Sequence, residues 1–101
     1  MNIKFVKISN SRREGKKYYA EFFDADRKLV KNNHFGSDVG VTYNMHKDDK
    51  VKQAWIARHQ VRGTFNDPTS PSALSRYLLW NKKTMTASFK DYLKKFNLKE
   101  Y

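Results

Sequence analysis

Residues that favour pleated strands are gathered in the first third of the chain and residues that favour helices in the remainder, a division that restricts the fold more than any other feature. Between Asn2 and Ser9, the apolar Ile3, Phe5, Val6 and Ile8 mix with polar residues, and Lys16 to Phe23 concentrates Tyr18, Tyr19, Phe22 and Phe23. Both compositions suit a half-buried pleated surface. Asn10 to Gly15 (NSRREG) has turn chemistry, a second turn is expected at Asp24 to Arg27, and Leu29, Val30 and Phe35 can line a third strand over Lys28 to Phe35. The expected sheet is antiparallel, in the order 1-2-3. It leaves one apolar face open to water unless something packs on it, so the helices that follow must cover it.

Gly36 to Asn44 (GSDVGVTYN) reads as a connector whose glycines permit backbone angles that other residues resist. A first helix is expected from Lys47 or Asp48 to Arg62. Asp48 and Asp49 suit the positive end of its dipole, Arg58 and Arg62 its negative end, and Gly63 a stop. Val51, Ala54, Trp55, Arg58 and Val61 approximate one stripe, with Trp55 as its anchor. Thr64 to Thr69 is a loop. Ser70 before Pro71 joins an N-cap to a proline at the first helical position, so a short helix is expected over Pro71 to Trp80, with Leu74 and Leu78 inward. Asn81, Lys82 and Lys83 break the periodicity. Thr84 or Thr86 can cap a last helix to about Phe96, on which Phe89, Tyr92, Leu93 and Phe96 share one face. The fold class is therefore α+β: an N-terminal three-stranded antiparallel meander (residues 1–35) covered by about three helices (46–96), in a single domain spanning 1–101.

The 101 residues include 21 Lys and Arg against 10 Asp and Glu, a net charge of +11. The excess is +5 over residues 1–35, +2 over 36–62 and +4 over 63–101, so no detachable basic tail exists and the charge must lie on the folded surface. An acidic partner is expected: nucleic acid, an anionic membrane or an acidic protein surface. Aromatic residues make up 15% of the chain, which argues against disorder. The absence of cysteine excludes disulfides and cysteine-based zinc sites. The N-terminus has no continuous apolar core of a signal peptide, and no run of about 18 apolar residues suggests a membrane span.

Three histidines, His34, His46 and His59, invite a metal hypothesis with Asp48 or Asp49 as a carboxylate ligand, but no HxxxH or HExxH spacing sets two imidazoles on one helical face. Capping, surface and core-edge roles fit them better. Ser75, His59 and Asp67 can be assembled on paper into a hydrolytic triad, as almost any chain with three histidines allows. No GxSxG elbow, cysteine nucleophile or glycine-rich phosphate loop accompanies them. The expectation is a protein that is not an enzyme and holds no cofactor or metal.

Binding residues are better supported. Arg12, Arg13, Lys16 and Lys17 surround the first hairpin, Arg58 and Arg62 lie on the first helix, and Lys82, Lys83, Lys90, Lys94 and Lys95 occupy the last third. Such cations suit phosphates, and arginine can also stack on bases. Arg76 and Trp80 are i and i+4 neighbours, either a cation and π pair within the helix or an interface anchor. The last helix carries Lys90, Lys94 and Lys95 but few base-reading side chains, so phosphate contacts without sequence preference are expected if DNA is bound.

Two stretches, YNMHKDDKVKQAWIARHQVRGTFNDP and SALSRYLLWNKKTMTASFKDYLKKF, carry a resemblance. Their His46, Lys47 and Asp48, the pair Arg58 and His59, and the block of Leu74, Ser75, Arg76, Tyr77, Leu79, Trp80, Asn81 and Lys82 resemble a family of small basic domains from nucleocytoplasmic large DNA viruses. The upstream AEFFDADRKLVKNNHFG fits as well. The resemblance implies a viral setting and brings no catalytic chemistry with it. The expected function is a virion structural protein of a large double-stranded DNA virus, a minor capsid component binding other virion proteins, made in the host cytoplasm or nucleus. The alternative is a sequence-independent DNA- or RNA-binding protein for genome condensation or nucleic-acid processing.

Overall fold

Alternation along the first strands decides which side of the sheet becomes the core. The computed structural model describes residues 3–37, 41–60 and 65–101. In it β1 (Phe5–Asn10), β2 (Lys16–Phe23) and β3 (Leu29–Ser37) form antiparallel pairs in the expected order. Val6, Ala20, Phe22 and Phe35 are fully buried on one face. The register sets Val6 against Phe22, Ile8 against Ala20 and Tyr18 against Phe35. Both turns hold by local chemistry: Ser11 Oγ accepts from the Arg13 amide, and Asp24 Oδ1 accepts from the amides of Asp26 and Lys28.

The sheet is mixed rather than a pure antiparallel meander. A short fourth strand, β4 (Lys99–Glu100), runs parallel to β1 and completes the order β3-β2-β1-β4. Buried Leu98 draws the chain end against the core, where the Lys99 amide donates to the Lys4 carbonyl and the Tyr101 amide to the Val6 carbonyl, each at 3.0 Å. Two residues cannot display a period, which is why no sequence signal marks this strand.

An extra helical turn, α1 (Tyr43–His46), begins at the end of the connector expected at 36–44 and is ended by Lys47 at a positive φ of 59°. Buried Tyr43 fastens it to the core. The next helix, α2 (Asp49–Gln60), starts where Asp48 Oδ1 accepts from the amides of Lys50 and Val51. Its expected apolar stripe is not a packing face: α2 has no buried residue, and Val51, Ala54 and Arg58 are exposed. Trp55 alone of the described stripe residues is half-buried, so the helix is held by its rings and polar contacts rather than by a seam. Gly40, Val61, Arg62 and Gly63 lie outside the described residues.

Ser70 caps α3 (Pro71–Leu74) by accepting from the Ala73 amide at 3.1 Å. The helix continues as a π-helical turn, Ser75–Leu79, closed by the Trp80 amide on the Ser75 carbonyl at 3.0 Å. Thr84 caps α4 (Met85–Lys95) in the same way as Ser70. Leu74, Leu78 and Tyr92 are fully buried and, with Val6, Phe22 and Phe35, form the centre of the core. The loop ahead of α3 is tied to both layers: Asn33 Nδ2 donates to the Thr69 carbonyl, and the Tyr92 hydroxyl donates to the Pro68 carbonyl at 2.7 Å. No described helix is long and apolar enough to cross a membrane.

Candidate functional site

The hairpin between β1 and β2 places Arg12, Arg13 and Lys16 in solvent. Lys17 is half-buried, its ammonium 3.3 Å from Met45 Sδ. Folding brings residues from later thirds of the chain beside this end of the sheet. Lys16 lines a cleft of about 410 Å³ together with Trp55, His59 and Trp80, and Lys90 lines a groove with Asn10 and Tyr18. Arg58, Lys82, Lys83 and Lys94 are exposed, and Arg62 is outside the described residues.

Arg76 and Trp80 do not present a surface pair. Trp80 is only 8% exposed, and Arg76 Nη1 donates to its carbonyl at 2.8 Å while the guanidinium lies 5.1 Å from the Tyr77 ring centre. Burial lowers the pKa of Arg76, opposed by Tyr77 and Asp91. Lys52 does parallel work from α2. Its ammonium donates to the Asn81 carbonyl at 2.6 Å and sits 4.6 Å from the Tyr43 ring. Burial lowers its pKa, and the charge of Arg76 adds to the effect. These two cations satisfy carbonyls where the π-helical turn ends, so they are engaged in holding the fold.

The histidines end up apart. His46, Trp80, Trp55 and His59 form a run of ring contacts with successive centroid separations of 5.3, 5.0 and 4.0 Å, so two tryptophans lie between the outer histidines. His46 Nδ1 accepts from the Asp48 amide, and His59 Nδ1 donates to the Trp55 carbonyl. Among the described residues no group of His, Asp and Glu is gathered as a metal site. Ser75 and His59 line the same cleft, but Asp67 Oδ1 is turned to the amide and hydroxyl of Thr69. Those bonds, the hydroxyl first, hold the Asp67 carboxyl below its ordinary value.

The second face of the sheet is the surface that sequence reasoning passed over. Pairing places Ser9, Tyr19 and His34 in one row, Lys7, Glu21 and Asn32 in the next, and Lys99, Phe5 and Phe23 in a third. Tyr19 stacks on His34 at 4.6 Å and Tyr101 on Phe23 at 3.9 Å. The Arg27 guanidinium lies 4.5 Å from the Phe5 ring centre and 5.2 Å from that of Tyr101. A signal for this face was present: KKYYAEFF puts rings at both parities of one strand, and only one parity can face the core.

No curated protein and no solved structure matches the chain. Residues 6–59, from β1 to the penultimate residue of α2, match a family of unknown function, DUF5754; the match covers more than half of the chain, and the protein belongs to that family.

Proposed function

We propose that this protein is a non-catalytic binding domain whose acidic partner is nucleic acid, held through phosphate contacts with little sequence preference. The carrying observation is the hairpin end of the sheet, where exposed Arg12, Arg13 and Lys16 lie among cations that the fold leaves in solvent. Lys90 reaches the same region from α4. Mobile exposed lysines and arginines suit a regular polyanion better than one fixed carboxylate arrangement. The test is fluorescence anisotropy with a random 30-base-pair duplex from low to physiological salt. Neutralising about five phosphates gives a log-log slope near −4 to −5, independent of sequence. Loss of Arg12 and Arg13 together should weaken binding to every duplex alike. Absence of binding across the whole salt range would overturn the reading.

A second reading is the minor capsid component, in a large DNA virus as the resemblance of the His46 and Leu74 to Lys82 segments implies. One observation favours it: β3 is an outer strand of the sheet, and its Leu29 and Val30 are each 49% exposed. An outer strand with apolar side chains can take up a strand from another protein. This reading expects Leu29→Lys to block assembly with virion proteins and leave duplex binding unchanged, measured by co-sedimentation with purified particles.

A further inference from the structure

We propose that the open face of the sheet binds the unstacked bases of a single-stranded nucleic acid, with Tyr19 and Tyr101 as its two stacking platforms. The inference rests on the nucleic-acid reading above and names the form of the partner and the surface it uses.

The helices pack on the side of Val6, Phe22 and Phe35, while Tyr19, His34, Phe5 and Phe23 occupy the other parity. Tyr101 is 45% exposed although it stacks on Phe23 and has the Arg27 guanidinium 5.2 Å from its ring centre, so a large part of the residue is free for a further contact beside a cation. Tyr19 is half-buried and lies against His34. One row lies between those of Tyr19 and Phe23 along β2, which puts the two residues about 13 Å apart at the ordinary strand rise. Between the two platforms the face is polar, with exposed Lys7 and Asn32 beside Glu21.

That arrangement discriminates among occupants. An apolar peptide or a lipid surface would need a continuous apolar patch, and here the rings are divided by a polar row. A duplex hides the faces of its bases in its own stack and offers only phosphates and groove edges. A single strand offers both what the rings and what the cations accept: bases that stack on aromatic side chains, and a backbone that tracks positive charge. The charge is complementary. Lys7, Arg27 and Lys99 flank the rings, against Glu21 on the same face, while Glu100 pairs with Val6 on the helix-covered parity. The carboxylate of Asp24, in the adjoining turn, is engaged by two backbone amides. Arg12 and Arg13 extend the positive path beyond the Tyr19 end.

The experiment measures anisotropy of labelled 15-nucleotide oligo(dT) and oligo(U), and of a 15-base-pair duplex, against wild type, Tyr19→Ala, Tyr101→Ala and Tyr19→Leu, with circular dichroism confirming that each variant is folded. Wild type is expected to prefer the single strands. Each alanine change should weaken single-strand binding about 5- to 150-fold while leaving the duplex within about two-fold. Tyr19→Leu keeps apolar area without a flat ring and should resemble Tyr19→Ala. Equal losses for duplex and single strands, or none for either, would overturn the stacking face and leave the phosphate reading standing. Wild type that binds neither form would remove both. Comparing oligo(dT) with oligo(U) distinguishes a DNA from an RNA partner.

Discussion

Trp55 and Trp80 stack face to face, with centroids 5.0 Å apart and planes within 9° of parallel, and this contact fastens to the core a helix that buries none of its residues. The Lys52 bond to the Asn81 carbonyl is a second fastening one turn earlier on the same helix. An α-helix of twelve residues is marginal alone in water, so α2 depends on these attachments for its order.

Removing the ring from one side or the other should have different consequences. Trp55→Ala is expected to release α2 while the sheet and α4 stay folded, seen as fast amide exchange over 49–60 with protection kept in β1 and β2. Trp80→Ala empties part of the core and should cost about 3–5 kcal/mol in a denaturant titration. Undiminished protection of α2 in Trp55→Ala would show that its polar attachments, Lys52 to the Asn81 carbonyl and Asp49 to the Tyr43 hydroxyl, hold it without the ring.

The bond between Asp67 and Thr69 makes a pH-dependent contribution. Because the folded Asp67 pKa is lowered, its stabilisation is whole above the unfolded carboxylate value and is lost as pH falls through the folded value. Thr69→Val removes the hydroxyl, the larger cause, so the Asp67 titration followed by NMR should move upward. The stability difference between Thr69→Val and wild type should narrow as the solution is acidified. A difference constant down to strong acid would mean that the change acts through packing of the fully buried Thr69 side chain.

Where a structural signal is contained in a few neighbouring residues, it was legible. Lys16–Phe23 occupies the expected strand, and Ser70 with Pro71 and Thr84 start helices as caps should. The elements that were missed depend on distant partners: β4 exists because Leu98 is buried beside β1, and α1 because Tyr43 is buried in the core. The apparent stripe of α2 failed for a related reason, since periodicity marks a possible packing face without supplying something to pack on it. The same holds for the candidate surface. Exposure of Arg12 and Arg13 follows from their place in a turn, whereas the meeting of Phe5, Arg27 and Tyr101 requires the register of the sheet and the return of the chain end.

Tyr92 should ionise late. Burial raises its pKa and nearby Asp67 adds to the rise, while the hydroxyl of Tyr43 is raised first by its bond to Asp49. A raised folded pKa stabilises the fold fully below the unfolded tyrosine value, about 10, and the contribution is lost as pH rises through the folded value. An alkaline absorbance titration is therefore expected to show Tyr43 and Tyr92 ionising above the ordinary tyrosine value, Tyr92 last and together with unfolding. Tyr92→Phe removes the late step and, by leaving the Pro68 carbonyl without its donor, should cost about 1–3 kcal/mol at neutral pH.

Gly15 and Gly36 separate backbone strain from steric conflict, since their φ angles are +82° and +78° but their surroundings differ. A Cβ on Gly15 would meet nothing within 4 Å, so Gly15→Ala should cost only the left-handed conformation, about 1–2 kcal/mol. A Cβ on Gly36 would stand 3.0 Å from Leu79 Cδ1 and 3.4 Å from Lys17 Cβ. Leu79 is 1% exposed and packed among Leu78, Trp80 and Phe35 in the core, so its methyl has little room to retreat. Gly36→Ala is therefore expected to add an overpacking cost of about 1–3 kcal/mol to the conformational one. Pairing it with Leu79→Val, which shortens the opposing side chain, should recover part of that second cost, read as a coupling in a double-mutant cycle of urea unfolding. Equal destabilisation by Gly15→Ala and Gly36→Ala, with no coupling to Leu79, would mean that the close approach of β3 to the π-helical turn relaxes freely and that φ alone selects glycine at both places.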